Sequence, residues 1–408
     1  MGLTISILVT ALSVTLHCTL FIVFLLAVLR ARRSSRPALD CAPLVSILKP
    51  LAGSDDELNL NLESFAQIDY PEFEILFGVA SDSDSALPVA RQFIAANPKI
   101  RARVVFTDHG AAMNPKVAQL IGLAAEACGD VVVISDSNVR VGARYLWSVV
   151  EPLSEPSVGL VTNLFGGVGE QTLGAALENL QVGALVGPSL AAADFLSDRP
   201  PTIGKSMAMR RRDMIKLGIL PRVSSKLAED QSLGRIVLDS GFNVHTSFET
   251  VSNVNTTCSI ERTIERHTRW AKIRRSISPT LFAIEPLALP SIFALVAIAF
   301  DLNAATAMLF AFTVLLQMTT AWVSTRVLRG SWMSLYYLPL ELVRTGIVFL
   351  CWLRGWASRR VCWRGNNLRI GRDTELIADR QWNSKAPLAV GVGWRDMTRI
   401  DVDADARP

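Results

Sequence analysis

The sequence predicts an α/β domain with a parallel sheet, carried on membrane segments. Three observations predict it. Residues 3–29 hold no Asp, Glu, Lys or Arg; short β-rich runs alternate with amphipathic stretches between residues 43 and 255; and three more apolar runs follow residue 278. The composition agrees, since half of the 408 residues are hydrophobic, more than is usual for a soluble protein. The length suits one globular domain of about 200–250 residues plus membrane segments. The formal net charge of +4 is modest, and the arginines cluster beside apolar runs, which reads as membrane flanks rather than a nucleic-acid surface.

In chain order, the run 3–29 exceeds the roughly 20 residues that span a bilayer. A signal peptide would be shorter and basic at its start, whereas this run is basic at its end. Arg30, Arg32, Arg33 and Arg36 follow it. The positive-inside rule then puts the N-terminus outside and residue 30 onward in the cytoplasm. Residues 1–30 are thus read as an anchor. Cys18, Cys41, Cys128, Cys258, Cys351 and Cys362 have no metal-ligand spacing, so reduced thiols are expected, without a disulfide framework.

Residues 43–255 are read as the cytoplasmic α/β domain. Its β-rich runs are LVSILK (44–49), FEILFGV (73–79), ARVVF (102–106), DVVVIS (130–135) and VGLVT (158–162). Amphipathic or alanine-rich stretches lie at 55–66, 84–96, 114–127 and 142–151. That alternation reads as βαβ units with helices on both faces. Ligands of such sheets bind beyond the carboxyl ends of the strands.

Acidic residues stand there. Asp82 and Asp84 follow FGVA, Asp136 follows VVVIS, and Glu229-Asp230 precedes the helix-like SLGRIVLDSG. No GxGxxG or GxxxxGK[ST] loop accompanies them. A carboxylate past a buried strand suits a divalent cation carrying a nucleotide diphosphate. Each has a bland explanation as well: an Asp after a strand caps the next helix, and an acidic pair at a helix start favours the dipole. Lys116, in NPK, is a candidate for a donor pocket or a residue on a solvated helix face.

Residues 256–278 are read as a basic interfacial helix carrying RHTRW. At 100° per residue, Arg266, Arg269 and Trp270 fall within one arc, with Ile260, Ile264 and Ala271 on another face. Two guanidinium groups on one arc suit phosphate oxygens, and basic residues beside a membrane segment also suit lipid headgroups. Residues 279–353 are read as membrane segments, with apolar runs at 279–300, 303–323 and 332–353. Three spans would leave Arg354, Arg359, Arg360 and Arg364 outside. The prolines and Glu285 therefore mark 279–300 as re-entrant or interfacial, and residues 354–408 as a cytoplasmic tail.

Taken in order, these motifs resemble a family. Asp82 in VASDSDS, Asp136 in ISDSNVRV, Asp230 in AEDQSLG, and Arg266, Arg269 and Trp270 in RHTRW match the D, D, D, (Q/R)xxRW pattern. That is the pattern of the ceramide glucosyltransferases, membrane enzymes related to glycosyltransferase family 2. ILKPLAG (47–53), MNPKVAQL (113–120) and GKSMAMRR (204–211) match too, and the resemblance runs from about 44 to 290. It departs at DSN, which leaves one certain carboxylate where many relatives have DxD, and the first Asp is Asp82 or Asp84.

The resemblance implies a GT-A type (Rossmann-like) domain inserted between an N-terminal transmembrane helix and C-terminal membrane segments. It implies inverting transfer of a sugar, glucose foremost, from a UDP-sugar to the hydroxyl of a ceramide-like lipid, at a bacterial inner membrane with the catalytic domain facing the cytoplasm. Asp82 then contacts the donor, Asp136 binds Mg²⁺ or Mn²⁺, and Asp230 is the general base. Glu229 raises the Asp230 pKa by repulsion. Arg266 and Arg269 stabilise the diphosphate, and Trp270 shapes the acceptor entrance. The partners implied are a UDP-sugar, the lipid acceptor and the bilayer, with no nucleic acid. Rivals are the same chemistry on diacylglycerol or a hopanoid lipid (the latter with UDP-N-acetylglucosamine), a processive polysaccharide synthase, and last a non-catalytic membrane scaffold.

Overall fold

A computed structural model describes residues 1–33, 42–363 and 366–378. Arg36, Cys41, Arg364 and the tail beyond 378 lie outside the described residues. In chain order the elements are α1 (Gly2–Arg33), β1 (Val45–Pro50), α2 (Leu58–Glu63), β2 (Phe73–Val79), α3 (Ala86–Ala96), β3 (Arg101–Phe106), α4 (Pro115–Glu126), β4 (Val131–Ser135), β5 (Val139–Arg140), α5 (Tyr145–Leu153), β6 (Val158–Val168), α6 (Leu173–Gln181) and α7 (Gly187–Leu196). There follow β7 (Ser206–Arg210), α8 (Arg211–Lys216), α9 (Ile219–Arg222), α10 (Glu229–Asp239), β8 (Asn243–Val254), α11 (Ile260–Ile277), α12 (Pro279–Ile284), α13 (Pro290–Phe300), α14 (Ala304–Arg329), α15 (Leu340–Ala357), β9 (Arg360–Trp363), β10 (Asn366–Ile370) and β11 (Leu376–Ala378). The described residues form two compact units: a sheet unit of 42–162 and 202–245, and a helical unit of 1–33, 163–201 and 246–378. Residues 163–201, inside the stretch read as one domain, thus group with the apolar helices.

The sheet unit is built as its hydrophobic runs require. β3, β2, β1 and β4 lie side by side in that order, and each pairing is parallel. All six residues of β1 and all five of β4 are buried, as happens when both faces of a parallel sheet are covered. Leu48, Leu76, Leu120, Leu123, Val132 and Met207 share one core cluster. The sheet is mixed, however, not wholly parallel. β7 pairs antiparallel to β4 and to β6, so VGLVT joins through a reversed strand. The run SMAMR holds no β-branched residue, which is why it carries little strand signal. Strand order reverses between β1 and β4, with the first strand flanked by the second and the fourth. The carboxyl ends of those two strands therefore open on a topological switch point, where open α/β sheets bind ligands.

In the helical unit, α1 and α14 are long and apolar enough to cross a membrane. Pro279–Ala288 and Pro290–Phe300 form a pair bent by 67°, which has the form of a broken span or a re-entrant loop. Leu289–Pro290 is the break, as expected where proline removes a helix donor. Polar groups inside these segments find partners, as an apolar surrounding demands. Ser13 Oγ of α1 donates to the Leu287 carbonyl at 2.7 Å, and His17 lies 2.8 Å from Thr320 Oγ1 of α14. The apolar run 332–353 becomes α-helical only from Leu340, after a short 3-10 turn at Leu335–Tyr337. Its charges are buried and paired: Arg344 donates to Glu341 at 2.7 Å and to Gln181 Oε1 at 2.5 Å. That pairing is what an ionisable residue among apolar helices requires.

Candidate active site

The sheet unit gathers its chemistry at the switch point. Asp136 follows β4, and its backbone N–H donates to the Lys205 carbonyl at 3.2 Å. Its carboxylate is gripped on both oxygens, by Lys116 Nζ at 2.7 Å and Lys205 Nζ at 3.1 Å. Burial would push this carboxyl up, but the two ammonium groups outweigh it and hold the pKa well below the usual carboxylate range.

Lys116 reaches this place because of the two residues before it. Asn114 caps α4, accepting from the Lys116 and Val117 N–H groups, and Pro115 opens the helix where its missing donor costs nothing. The Lys116 side chain is mostly buried. It contacts Glu229 Oε1 at 3.0 Å and donates to the Gly204 carbonyl at 3.1 Å. Burial alone would push its ammonium down; the carboxylates of Asp136, Glu229 and Asp230 together hold it above the ordinary lysine value.

Glu229 and Asp230 open α10. They do more there than favour the helix dipole. Asp230 accepts from the Gly204 N–H at 2.8 Å and from its neighbour Gln231 N–H at 2.8 Å. Its pKa is pushed up to about 6, first by burial and second by Glu229, against the opposing pull of Lys116 and the two N–H groups. Burial is thus a larger cause than the repulsion read from the sequence. Gly204 is bound to this corner by its lack of a side chain, since a Cβ there would lie 2.9 Å from Asp230 Oδ2.

The two candidates after β2 behave differently. Asp84 accepts from the Gly53 and Ala86 N–H groups, each at 2.9 Å, so it ties the loop after β1 to the start of α3. Asp82 is exposed in the turn between. The structure brings together Lys116, Asp136, Glu229 and Asp230, and keeps Asp84 in a capping contact.

Three residues of this region escaped the sequence reading. Lys49 is fully buried on β1, 4.1 Å from the Phe65 ring centroid, and donates to the Asp136 carbonyl at 2.8 Å. Burial pushes its pKa down to about 7. Lys205 also donates to Asn138 Oδ1 at 2.9 Å, and Asp55 accepts from Ser137 Oγ. A lysine inside an apolar strand, as in VSILKP, is the signal that marks Lys49 in the sequence.

The RHTRW motif belongs to the helical unit, on α11. Ser259 caps this helix by accepting from the Arg262 N–H at 3.2 Å. Its buried stripe is Thr263, His267 and Ala271, at i, i+4 and i+8. Ile260, which the sequence puts on the apolar face, is exposed. Thr263 wins the inner position because its hydroxyl donates to the Gly174 carbonyl at 3.0 Å. Arg266 donates to Glu178 Oε1 at 3.0 Å and to Asn255 Oδ1 at 3.2 Å. His267 lies 2.9 Å from Glu178 Oε2, and Trp270 packs edge-on against the His267 ring at 5.1 Å. Arg269 is half-buried. Burial would push the Glu178 carboxyl up, but His267 and Arg266 hold it at about 2. Glu178 was not read from the sequence; it stands in LENLQ with nothing local to mark it.

Among the described residues, no group of three or more His, Cys, Asp or Glu side chains could hold a metal ion. Asp136 is the carboxylate that directly follows β4. Such a donor set fits a divalent cation completed by substrate phosphates and water, as Mg²⁺ is often bound. One lysine would have to give up its carboxylate oxygen.

The model of glycosyl transferase family 21 matches residues 4–376. The chain belongs to that family. Ceramide glucosyltransferase 3 of Caenorhabditis elegans is 26% identical over 246 residues, 60% of this chain and 53% of that protein. Ceramide glucosyltransferase 1 of the same organism is 28% identical over the same length. The alignments thus cover about half the length of these curated relatives. A solved mannosyltransferase from Pyrobaculum calidifontis, in complex with GDP-Man and Mn²⁺, aligns with 83% of this chain and 98% of its own at 17% identity and a TM-score of 0.49. The family agrees with the ceramide glucosyltransferase resemblance that the sequence pattern carries.

Proposed function

We propose that this protein is an inverting glycosyltransferase that moves glucose from UDP-glucose to the hydroxyl of a ceramide-like membrane lipid. The observation that carries the reading is Asp230, a half-buried carboxyl with a pKa of about 6 beside Lys116, Asp136 and Glu229. A general base is most effective when its pKa lies near the working pH. In the step, the lipid oxygen forms a bond to the anomeric carbon. The bond from that carbon to UDP breaks, UDP leaves with the electron pair, and the hydroxyl proton passes to Asp230. In-line attack opposite the leaving group inverts the configuration.

Lys116 and Lys205 serve the donor side, supplying fixed positive charge for a diphosphate. Mg²⁺ or Mn²⁺ bound by Asp136 and diphosphate oxygens would neutralise charge on the leaving group. Asp82, exposed after β2, is assigned to the uridine end. The roles of Arg266 and Arg269 toward phosphate, and of Trp270 toward the acceptor, rest on the sequence pattern. The acceptor keeps its tails in a bilayer, which agrees with two helices among the described residues that are long and apolar enough to cross one. The positive-inside reading of Arg30, Arg32 and Arg33 supports a cytoplasm-facing site, and a bacterial inner membrane is the membrane we assign to it.

The test is direct. Membranes holding the protein are incubated with UDP-glucose or UDP-N-acetylglucosamine, and with ceramide, diacylglycerol or a hopanoid. Mass spectrometry is expected to find monoglucosylated ceramide. Glycosylation of another lipid moves the substrate assignment, polymer decides for a synthase, and no transfer from any donor sinks the reading.

A further inference from the structure

The helical unit holds a charged cavity. It has a volume of about 460 Å³ and is lined by Lys272, Arg275, Arg359 and Arg372, with Trp356 on its wall and no Asp or Glu. The volume lies within the roughly 300–1,000 Å³ of small-ligand sites. Four cations around one cavity repel one another unless an anion joins them.

Two of the four are fixed from inside. Lys272 Nζ donates to the Arg360 carbonyl at 2.6 Å. Arg275 donates to the Gly355 and Trp356 carbonyls at 2.8 and 2.9 Å, and its guanidinium lies 5.1 Å from the Trp356 ring centroid. None of these partners neutralises the charge. Arg359 and Arg372 are exposed, and no ion pair of either occurs among the described residues.

The rim says which anion belongs there. Trp356, near the end of α15, lines the cavity and is exposed, and Ile277 and Leu281, each within two residues of the lining residues Ser276 and Pro279, are exposed as well. Exposed apolar side chains, a tryptophan and clustered cations meet where a protein crosses the headgroup layer. A soluble phosphate would need only the cations.

We infer that this cavity binds the phosphate headgroup of an anionic phospholipid of the surrounding bilayer. The arginines take the phosphate oxygens through their planar forks, and the apolar rim lies along the first carbons of the tails. The inference stands apart from the glycosyl-transfer reading, because it needs no donor, acceptor or turnover.

The experiment places the full chain in detergent with phosphatidylglycerol or phosphatidylcholine and counts retained lipid by native mass spectrometry. Wild type is expected to retain phosphatidylglycerol in preference to phosphatidylcholine. Arg359→Gln with Arg372→Gln is expected to weaken that retention by about 25-fold, at about fivefold per neutralised cation. Arg91→Gln with Arg101→Gln, on the sheet unit, removes the same charge and is expected to leave retention unchanged. Equal loss in both double variants would overturn the site in favour of net charge. Full displacement of the lipid by millimolar inorganic phosphate would overturn the lipid as its occupant. A melting temperature equal to wild type shows that the Arg359/Arg372 variant is folded; should it fall, Arg359→Lys with Arg372→Lys keeps the charge and must retain the lipid.

Discussion

Two buried clusters in this protein use the same ingredients to opposite ends. At the switch point of the sheet unit, Asp136, Glu229 and Asp230 gather around Lys116, and Lys205 holds Asp136 from its other oxygen. In the helical unit, Glu178 of α6 pairs with both Arg266 and His267 of α11. In the first cluster carboxylates crowd together, so burial and Glu229 leave Asp230 with a pKa of about 6. In the second, one carboxylate faces two partners and falls to about 2. A group at about 6 exchanges its proton near neutral pH; a group at about 2 does not. Burial acts on both carboxyls; what differs is the charge beside each, a second carboxylate at Asp230 and two bases at Glu178.

The largest break in that comparison comes from Asp230→Asn. It is expected to leave a folded chain with turnover lower by on the order of 10²-fold or more, as for loss of a general base. Turnover near wild type in that variant would remove Asp230 from the role. Chelation is next. EDTA is expected to abolish transfer and added Mg²⁺ or Mn²⁺ to restore it, and full activity in chelator would take the metal from Asp136.

On the other cluster the expected effect is structural. Glu178→Ala leaves Arg266 and His267 without their shared carboxylate. Breaking a buried pair costs about 3 kcal/mol or more, which a thermal unfolding midpoint will read. Glu178→Gln keeps one acceptor oxygen and should lose less. An unchanged midpoint in Glu178→Ala would mean that the pairing contributes nothing to the unit.

The sequence marked the first cluster better than the second. Asp136 and Asp230 are legible because each follows or opens a regular element, and NPK announces a capped helix with its lysine at the start. Neighbours from distant segments are not legible. Nothing near Lys116 says that it meets Glu229, 113 residues on (229 − 116), and nothing in GKSMAMRR says that Gly204 donates to Asp230. Those contacts exist only once β4, β7 and α10 come together. Glu178 was invisible for the same reason, and so was the inward turn of Thr263 and His267 on α11. The parallel strands β1 to β4 followed from apolar runs. β7 did not, because SMAMR reads as neither strand nor helix.

The most direct test of the account is the pH dependence of kcat/KM for sugar transfer, which reports the free enzyme's essential groups. Asp230 must be ionised to accept a proton, so the rate should rise as pH climbs through about 6 and fall about tenfold per unit below it. Glu229→Gln removes one of the two causes of the raised pKa and should move this limb to lower pH. A profile that is flat from about pH 5 to 8, or a limb that stays in place in Glu229→Gln, would contradict the assignment of Asp230 as the poised base.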